Sequence, residues 1–358
     1  MVMDKTFWKG KKVFVTGHTG FKGSWLTFWL NRLEANVVGY SLRPNTQPAL
    51  FSILELQSTV KSFYEDVRDF ENLHLVLNDF QPEIIFHLAA QALVIDSYLD
   101  PVNTFSTNIL GTVNLLQISK ELNSLKSIVV VTTDKCYEND ESKISFNELD
   151  KLGGSDPYSS SKGCSELITH AYRQSFYSSR CKSLASARAG NVIGGGDWNP
   201  FRLVPDVVKA FSAGEVAKVR NPRSVRPWQH VLEPLSGYLV LAERLFGSTT
   251  NEYSSAWNFG PKTESCISVG GLCDLLATKW GAGRWQYVES NLPSEARVLR
   301  LDITKAETEL NWEPVWNLEK TVKATVSWYK HYSSGLDVRE VCESQIDDYM
   351  RDAALRAL

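Results

Sequence analysis

Lys12-Val13-Phe14-Val15-Thr16-Gly17-His18-Thr19-Gly20-Phe21-Lys22-Gly23 is the stretch that decides how this chain folds. A short buried-strand run leads into three glycines spaced three apart, and an amphipathic stretch follows from about Phe21 to Glu34. Strand, glycine loop and helix in that order form a cradle for a dinucleotide pyrophosphate. Gly17 permits the tight turn, Gly20 lets the backbone approach the phosphates, and Gly23 allows close helix–strand packing. The anion then sits on the helix N-terminus, where Phe21 begins the helix.

Outward from this unit, strand and helix signals alternate. Val37–Tyr40, Val60–Tyr64, Glu83–Leu88 and Ser127–Val131 read as strands, and helices are predicted over about 102–122 and from Tyr158 to about Tyr177. A strand over Leu184–Ala187 follows. Crossovers of this length predict a doubly wound parallel sheet with helices on both faces, an α/β fold. After residue 190 the glycines 194–196 and Pro200, Pro205, Pro222 and Pro227 break the chain into shorter pieces. Helices are predicted near 203–213, 233–246, 268–280 and 318–330, in a smaller mixed lobe over the sheet's C-terminal edge. The expected division is 1–190 for the dinucleotide domain, with Ala256–Phe259 returning to its sheet, and 191–332 for the substrate lobe. A polar tail over 333–358 is expected to pack loosely or serve contacts.

Composition narrows the function. The 358 residues are 43% hydrophobic and 22% charged, ordinary for a folded soluble protein, and the net charge of −3 gives no electrostatic reason to bind nucleic acid or an anionic membrane. The six cysteines show no CxxC pair and read as reduced thiols, and the six histidines form no ligand cluster, so no metal is expected. Met1–Gly10 is short and polar, unlike a signal peptide, and no apolar run approaches the roughly 20 residues that span a bilayer. A cytoplasmic protein is the expectation.

The chemistry centres on Thr132-Thr133-Asp134-Lys135 and Tyr158-Ser159-Ser160-Ser161-Lys162. A tyrosine and a lysine four apart lie on one helix face, where the ammonium can favour the phenolate. Two features depart from the usual dinucleotide pattern. His18 is bulky where a small residue usually stands and is expected to crowd the pyrophosphate. The second strand ends Gly39-Tyr40-Ser41-Leu42-Arg43, without the acid that normally takes the ribose 2′-hydroxyl, so NAD is preferred over NADP only narrowly, Arg43 being suited to a 2′-phosphate. Asp66-Val67 suits an adenine contact, and Leu88-Ala89-Ala90-Gln91 places small residues beside the cofactor ribose.

These residues resemble the extended short-chain dehydrogenases/reductases that modify nucleotide sugars, over roughly residues 8 to 330. The resemblance rests on Gly17, Gly20, Gly23, Asp66, His87-Leu88-Ala89-Ala90, Asn108, Thr133, Tyr158, Lys162 and Arg188-x-x-Asn191-Val192-x-Gly194. It implies a Rossmann-type domain, NAD as cofactor with Asn108 in its site, and a homodimer or homotetramer. An acid directly after the active-site threonine marks the family's 4,6-dehydratases. Thr133-Asp134-Lys135-Cys136-Tyr137, Asn199-Pro200-Phe201-Arg202 and Arg226-Pro227-Trp228-Gln229-His230-Val231 look like those acting on CDP-glucose. The inverting dehydratases of UDP-N-acetylglucosamine also carry Asp-Lys and are the nearest rival, with dTDP-glucose dehydratases and 4-epimerases behind. A regulatory module that has lost catalysis is disfavoured, because Thr133, Tyr158 and Lys162 all remain.

The resemblance implies a hydro-lyase without net redox change. Tyr158 would take the C4 hydroxyl proton as hydride leaves C4, with Thr133 on the sugar oxygen and Lys162 on the nicotinamide ribose. Asp134 would protonate the departing C6 hydroxyl, and Lys135, as a neutral amine, would remove the C5 proton, with Glu138 or a water as substitute. Substrate contacts are expected from Gln91, Asn191, Arg202, Arg226, His230 and Arg297, arginine forks being matched to diphosphate. Ile109, Val113, Leu116, Leu167 and Ile168 are the expected apolar contacts across a two-fold axis.

Overall fold

The computed structural model describes residues 4–140, 143, 145–177, 182–289 and 299–356. Seven strands form one sheet: β1 Lys12–Thr16, β2 Asn36–Tyr40, β3 Lys61–Phe63, β4 Ile84–His87, β5 Ser127–Val131, β6 Ser183–Ala189 and β7 Ala256–Phe259. Their spatial order is β7-β6-β5-β4-β1-β2-β3 and every pairing is parallel. The chain therefore winds outward from β1 to β3, crosses back, and restarts at β4. The doubly wound sheet expected from the alternation is the one observed. Its direction reverses between β1 and β4, and the crevice beyond their C-terminal ends is where such sheets bind ligands.

The alternation of side chains in β1 assigns both cores. Val13 and Val15 point to one face, against Trp25, Leu26 and Trp29 of the helix Phe21–Arg32 and Leu235 of the helix Leu232–Gly247. Phe14 points to the other, with Ile85 and Ile128 from neighbouring strands and Leu73, Leu77 and Leu115 from the covering helices. Full burial of a large apolar side chain stabilises by roughly 1.5–3 kcal/mol, so these two layers fix the sheet against which the cleft is built.

Beyond the sheet, the helices Leu203–Ser212 and Val269–Trp280 pack beside two small ribbons. Val216–Val219 pairs in parallel with Arg284–Tyr287, and Val225–Pro227 antiparallel with Cys266–Ser268. The helix expected over 102–122 is interrupted: Pro101–Phe105 passes through one π-helical turn, Ser106–Leu110, into Gly111–Ser119. No helix among the described residues is long and apolar enough to cross a membrane.

The segment after residue 333 differs from the loose tail expected. Val338–Arg356 is a helix that buries Val338, Cys342, Gln345, Ile346 and Tyr349. Tyr349 packs edge-on to Trp29 at 5.8 Å and donates to the buried Glu233 carboxylate at 2.7 Å, while Arg32 pairs with Asp347 at 2.7 Å. The helix is polar on average, and its sparse apolar residues gave the sequence reading little to find.

Candidate active site

A cleft of ≈ 650 Å³ opens at the switch point. Its floor is built by the residues that leave β1, β4, β5 and β6. Gly17, Gly20, Phe21 and Gly23 line it, as do Arg43, Asp66, Val67, Leu88, Ala89 and Ala90. Two of the glycines are needed there. Gly17 has φ +74°, and a Cβ on it would lie 2.7 Å from the Ala89 nitrogen; one on Gly23 would lie 2.0 Å from the Gly17 carbonyl oxygen. No side chain caps the helix Phe21–Arg32 at Gly20, which leaves its N-terminal amides to face an anion. This loop, with small residues opposite, fits a dinucleotide.

Two expected cofactor residues lie elsewhere. The His18 side chain is fully buried and turned away from the cleft, under Gly39, with Nε2 3.0 Å from the Ser62 hydroxyl. Gly39 supplies the space, so the expected crowding of the pyrophosphate does not arise. Burial drops the imidazole pKa to about 4, keeping it neutral. Asn108 does not reach the cleft either. Seated in the π-helical turn, it accepts from the Gln91 amide at 2.9 Å and donates to the Gln91 carbonyl at 3.1 Å and to the Ser161 hydroxyl at 2.8 Å. It ties the loop after β4 to the helix Pro157–Tyr172.

That helix starts at the cap Asp156, whose carboxylate accepts from the Ser159 amide at 2.9 Å, with Pro157 in its first turn. It delivers Tyr158 and Lys162 to the cleft beside Thr133, Asp134 and Lys135, which follow β5. Thr133 donates to Asp134 at 2.9 Å. The Asp134 carboxylate packs over Gly190, where a Cβ would lie 2.2 Å from Oδ2, so only glycine leaves it room. Burial pushes the Tyr158 phenol up to about 12, against an opposing hydrogen bond with Thr133. Burial brings the Lys162 amine down to about 8, with the Glu166 carboxylate opposing. The depression of Tyr158 expected from Lys162 is not what is found: burial dominates, Arg202 is the cation that lowers the phenol, and the Lys162 ammonium donates to the Val131 carbonyl at 3.2 Å.

Behind these groups lies a buried network that the sequence reading did not assemble. Glu166, one turn after Lys162, accepts from Thr132, from Ser186 at 2.7 Å and from Arg188 at 2.8 Å. Arg188 also donates to the Tyr137 hydroxyl at 2.6 Å. Burial alone would raise Glu166, but Arg188 overrides it and holds the carboxyl below its usual range. The i, i+4 spacing of Lys162 and Glu166 was the available signal.

The substrate side is mixed. Asn191, Arg202 and Arg226 line the cleft, Arg202 paired with Asp197 at 2.9 Å and Arg226 donating to the Val225 carbonyl at 2.9 Å. Gln91 also lines it, but its side-chain amide is spent on the Leu93 backbone and the Thr104 hydroxyl. His230 is not at the cleft: it is fully buried, its ring 4.9 Å from that of Trp316, and burial drops its pKa to about 3. Arg297 lies outside the described residues. Lys22 was missed. It lines the cleft, and burial, followed by the charges of Lys162 and Arg202, lowers it to about 7. Its place in the first helical turn after the glycine loop was the clue.

The profile of the GDP-mannose 4,6 dehydratase family matches residues 14–325. The chain belongs to that family. Within it, CDP-glucose 4,6-dehydratase of Salmonella typhimurium (strain LT2) is 47% identical over 355 residues, covering 98% of this chain and 99% of that protein. The dTDP-glucose 4,6-dehydratase of the same strain is 24% identical over 342 residues, covering 89% and 92%. Among solved structures, dTDP-glucose 4,6-dehydratase from Streptomyces venezuelae with NAD and TYD bound superposes with a TM-score of 0.78 at 23% identity, covering 91% and 98%. UDP-glucose 4-epimerase from Thermotoga maritima gives 0.77 at 23%, covering 89% and 99%. At these identities the two structures establish the fold.

Proposed function

We propose that this chain converts CDP-D-glucose to CDP-4-dehydro-6-deoxy-D-glucose and water, as a hydro-lyase that uses NAD. The observation that carries the reading is the joint placement of Asp134 and Lys135 with Thr133, Tyr158 and Lys162 in one cleft. A plain dehydrogenase needs no second acid and base there. The near end-to-end relationship to a CDP-glucose 4,6-dehydratase supports the nucleotide.

The chemistry that bound NAD supplies is the storage and return of one hydride. The glycine cradle would hold the cofactor, with Asp66 and Val67 toward its adenosine half and Tyr158 and Lys162 toward its reacting half. Tyr158 takes the proton from the C4 hydroxyl, and Thr133 holds that oxygen. A phenol driven up to about 12 by burial needs positive charge nearby to ionise; the Arg202 guanidinium lowers it, and the Lys162 ammonium, one turn further along the helix, is proposed to add to that. Oxidation at C4 acidifies the C5 hydrogen, which Lys135 removes. Asp134, protonated, donates to the departing C6 hydroxyl, and water leaves; C6 then takes back the hydride and C5 a proton from Lys135, which gives the 4-keto-6-deoxy sugar. Asn191, Arg202 and Arg226 hold the diphosphate.

The enzyme is further proposed to be a cytoplasmic homo-oligomer, a dimer or tetramer. Exposed Leu99, Val102, Leu110 and Leu167 on the helical face support this, whereas Leu116, expected in that contact, belongs to the core. Light scattering at micromolar concentration reads the assembly, and a monomer would refute it. For the reaction, the protein is incubated with CDP-, dTDP-, GDP- and UDP-hexoses. The 4-keto product, read by its absorbance in strong alkali, is expected from CDP-glucose. Deuterium placed at C4 is expected at C6 of the same sugar molecule. Loss of that label to solvent, or an epimer as product, overturns the reading.

A further inference from the structure

The segment that carries Asp134 and Lys135 is clamped at both ends. It is one turn of 3₁₀ helix, Asp134–Cys136, with Thr133 before it and Tyr137 after it. The front end hangs from the sheet: Thr132, the first residue past β5, donates its amide to the Ala187 carbonyl of β6 at 2.9 Å. At the rear, the Glu138 amide donates to the Lys151 carbonyl at 3.0 Å and the Gly153 amide to the Cys136 carbonyl at 2.8 Å, which sets the course of the backbone. From that rear end the buried Tyr137 side chain reaches back to the sheet.

There its hydroxyl is fixed from two sides. It donates its one proton to Asn258 Oδ1 on β7 at 2.8 Å and accepts from Arg188 Nη1 on β6 at 2.6 Å. Asn258 cannot turn away, because its Nδ2 donates to the Phe146 carbonyl at 2.9 Å and the Asp302 carbonyl at 3.0 Å. The other arm of Arg188 leads to the second half of the site. Its Nη2 donates to Glu166 at 2.8 Å, one turn beyond Lys162 on the helix that carries Tyr158. One buried guanidinium thus holds the turn of Asp134 and Lys135 through Tyr137, and the helix of Tyr158 and Lys162 through Glu166. Because a guanidinium is planar with its donors in a rigid fork, the spacing between the two halves is set by its geometry.

We propose that Tyr137 is a positioning residue that sets Asp134 and Lys135 against Tyr158, and that its hydroxyl serves the elimination of water rather than the oxidation at C4. The inference rests on the dehydratase reading above and deepens it. Without that hydroxyl, Tyr158 and Lys162 keep their helix and Thr133 its place at the end of β5. Asp134 and Lys135 lose the rear clamp of their turn. An acid and a base displaced by about 1 Å can lose roughly a hundredfold in rate.

Tyr137→Phe tests it, removing the hydroxyl and keeping the ring that stacks on Phe146 with centroids 5.2 Å apart. In a single turnover of CDP-glucose by the NAD-loaded full chain, reduced nicotinamide is expected to appear within about threefold of the parent rate. It is expected to decay at least about tenfold more slowly, since hydride returns only after water has left. Hydrogen exchange read by mass spectrometry, with no ligand present, is expected to quicken over the turn Asp134–Cys136 and to hold over the helix Pro157–Tyr172. Phe146→Leu is the packing control: it removes the stacked ring but not the hydroxyl bonds, so Tm falls while the ratio of the two rates stays within about threefold of the parent. Equal slowing of both phases in Tyr137→Phe, no change in either, or unaltered exchange over the turn overturns this inference alone. A parent protein that forms no keto product overturns the dehydratase reading and this inference with it.

Discussion

Glu166→Gln tests whether the buried network behind the cleft sets both the stability of the fold and the charge of the site. The substitution keeps size and shape, so Thr132 and Ser186 retain a partner, but Arg188 loses its counter-charge in a site where both side chains are about 97% buried. Leaving a buried charge uncompensated costs about 3–5 kcal/mol. With an unfolding entropy of roughly 2.1 cal/mol/K per residue, the whole chain changes by about 0.75 kcal/mol per degree, so Tm is expected to fall by about 4–7 °C. Scanning calorimetry reads this. A second readout separates electrostatics from damage. The Glu166 carboxylate raises the Lys162 amine against burial, so removing it lowers Lys162 from its value of about 8. The protonated lysine is the form that supports the Tyr158 phenolate, and activity is lost as pH rises through its pKa. The alkaline limb of kcat/KM is therefore expected to move toward acid pH in the variant. A fall in Tm with that limb unmoved would show that Glu166 only holds the fold, and no fall in Tm would refute the charge argument itself.

Asp134→Asn is expected to cut dehydration by about 10²–10⁴-fold while C4 oxidation persists, measured as reduced cofactor accumulating under substrate; an undiminished keto-deoxy product would remove Asp134 as the acid. Lys135→Ala should lose exchange of the C5 hydrogen with solvent and keep some C4 oxidation, followed by NMR in D₂O; unchanged exchange removes Lys135 from the mechanism. Glu233 gives a pH signature. Burial raises its carboxyl to about 7, so the folded state holds a proton that the unfolded state releases near 4.5. Its contribution is greatest below pH 4.5 and is lost as pH rises toward 7. Tm measured between pH 5 and 8 should decline less in Glu233→Gln than in the parent, and parallel slopes would exclude this group.

The fold was legible because its evidence is periodic. Val13, Phe14 and Val15 alternate between two cores, and the glycines at 17 and 23 mark a turn with no room for a side chain. The gathering of Thr133, Asp134, Tyr158 and Lys162 was legible too, from strand-end and helix-face position. Orientation was not. His18, Asn108 and His230 stand in the expected segments, yet each aims its polar atoms into the protein, because a neighbouring vacancy or partner decides the rotamer: Gly39 for His18, Gln91 and Ser161 for Asn108, Trp316 for His230. Long-range partners were invisible for the same reason. Nothing near Glu166 in sequence announces Arg188, and the helix Val338–Arg356 reads as polar until Trp29 and Glu233 are brought beneath it.

That last helix delays the bracing of the cleft. Arg32 and Asp347, 315 positions apart, are joined directly, and Arg32 closes the helix that opens at the glycine loop. The contact can form only once Asp347 has been made, so the helix behind the loop goes without this brace while the intervening residues are synthesised.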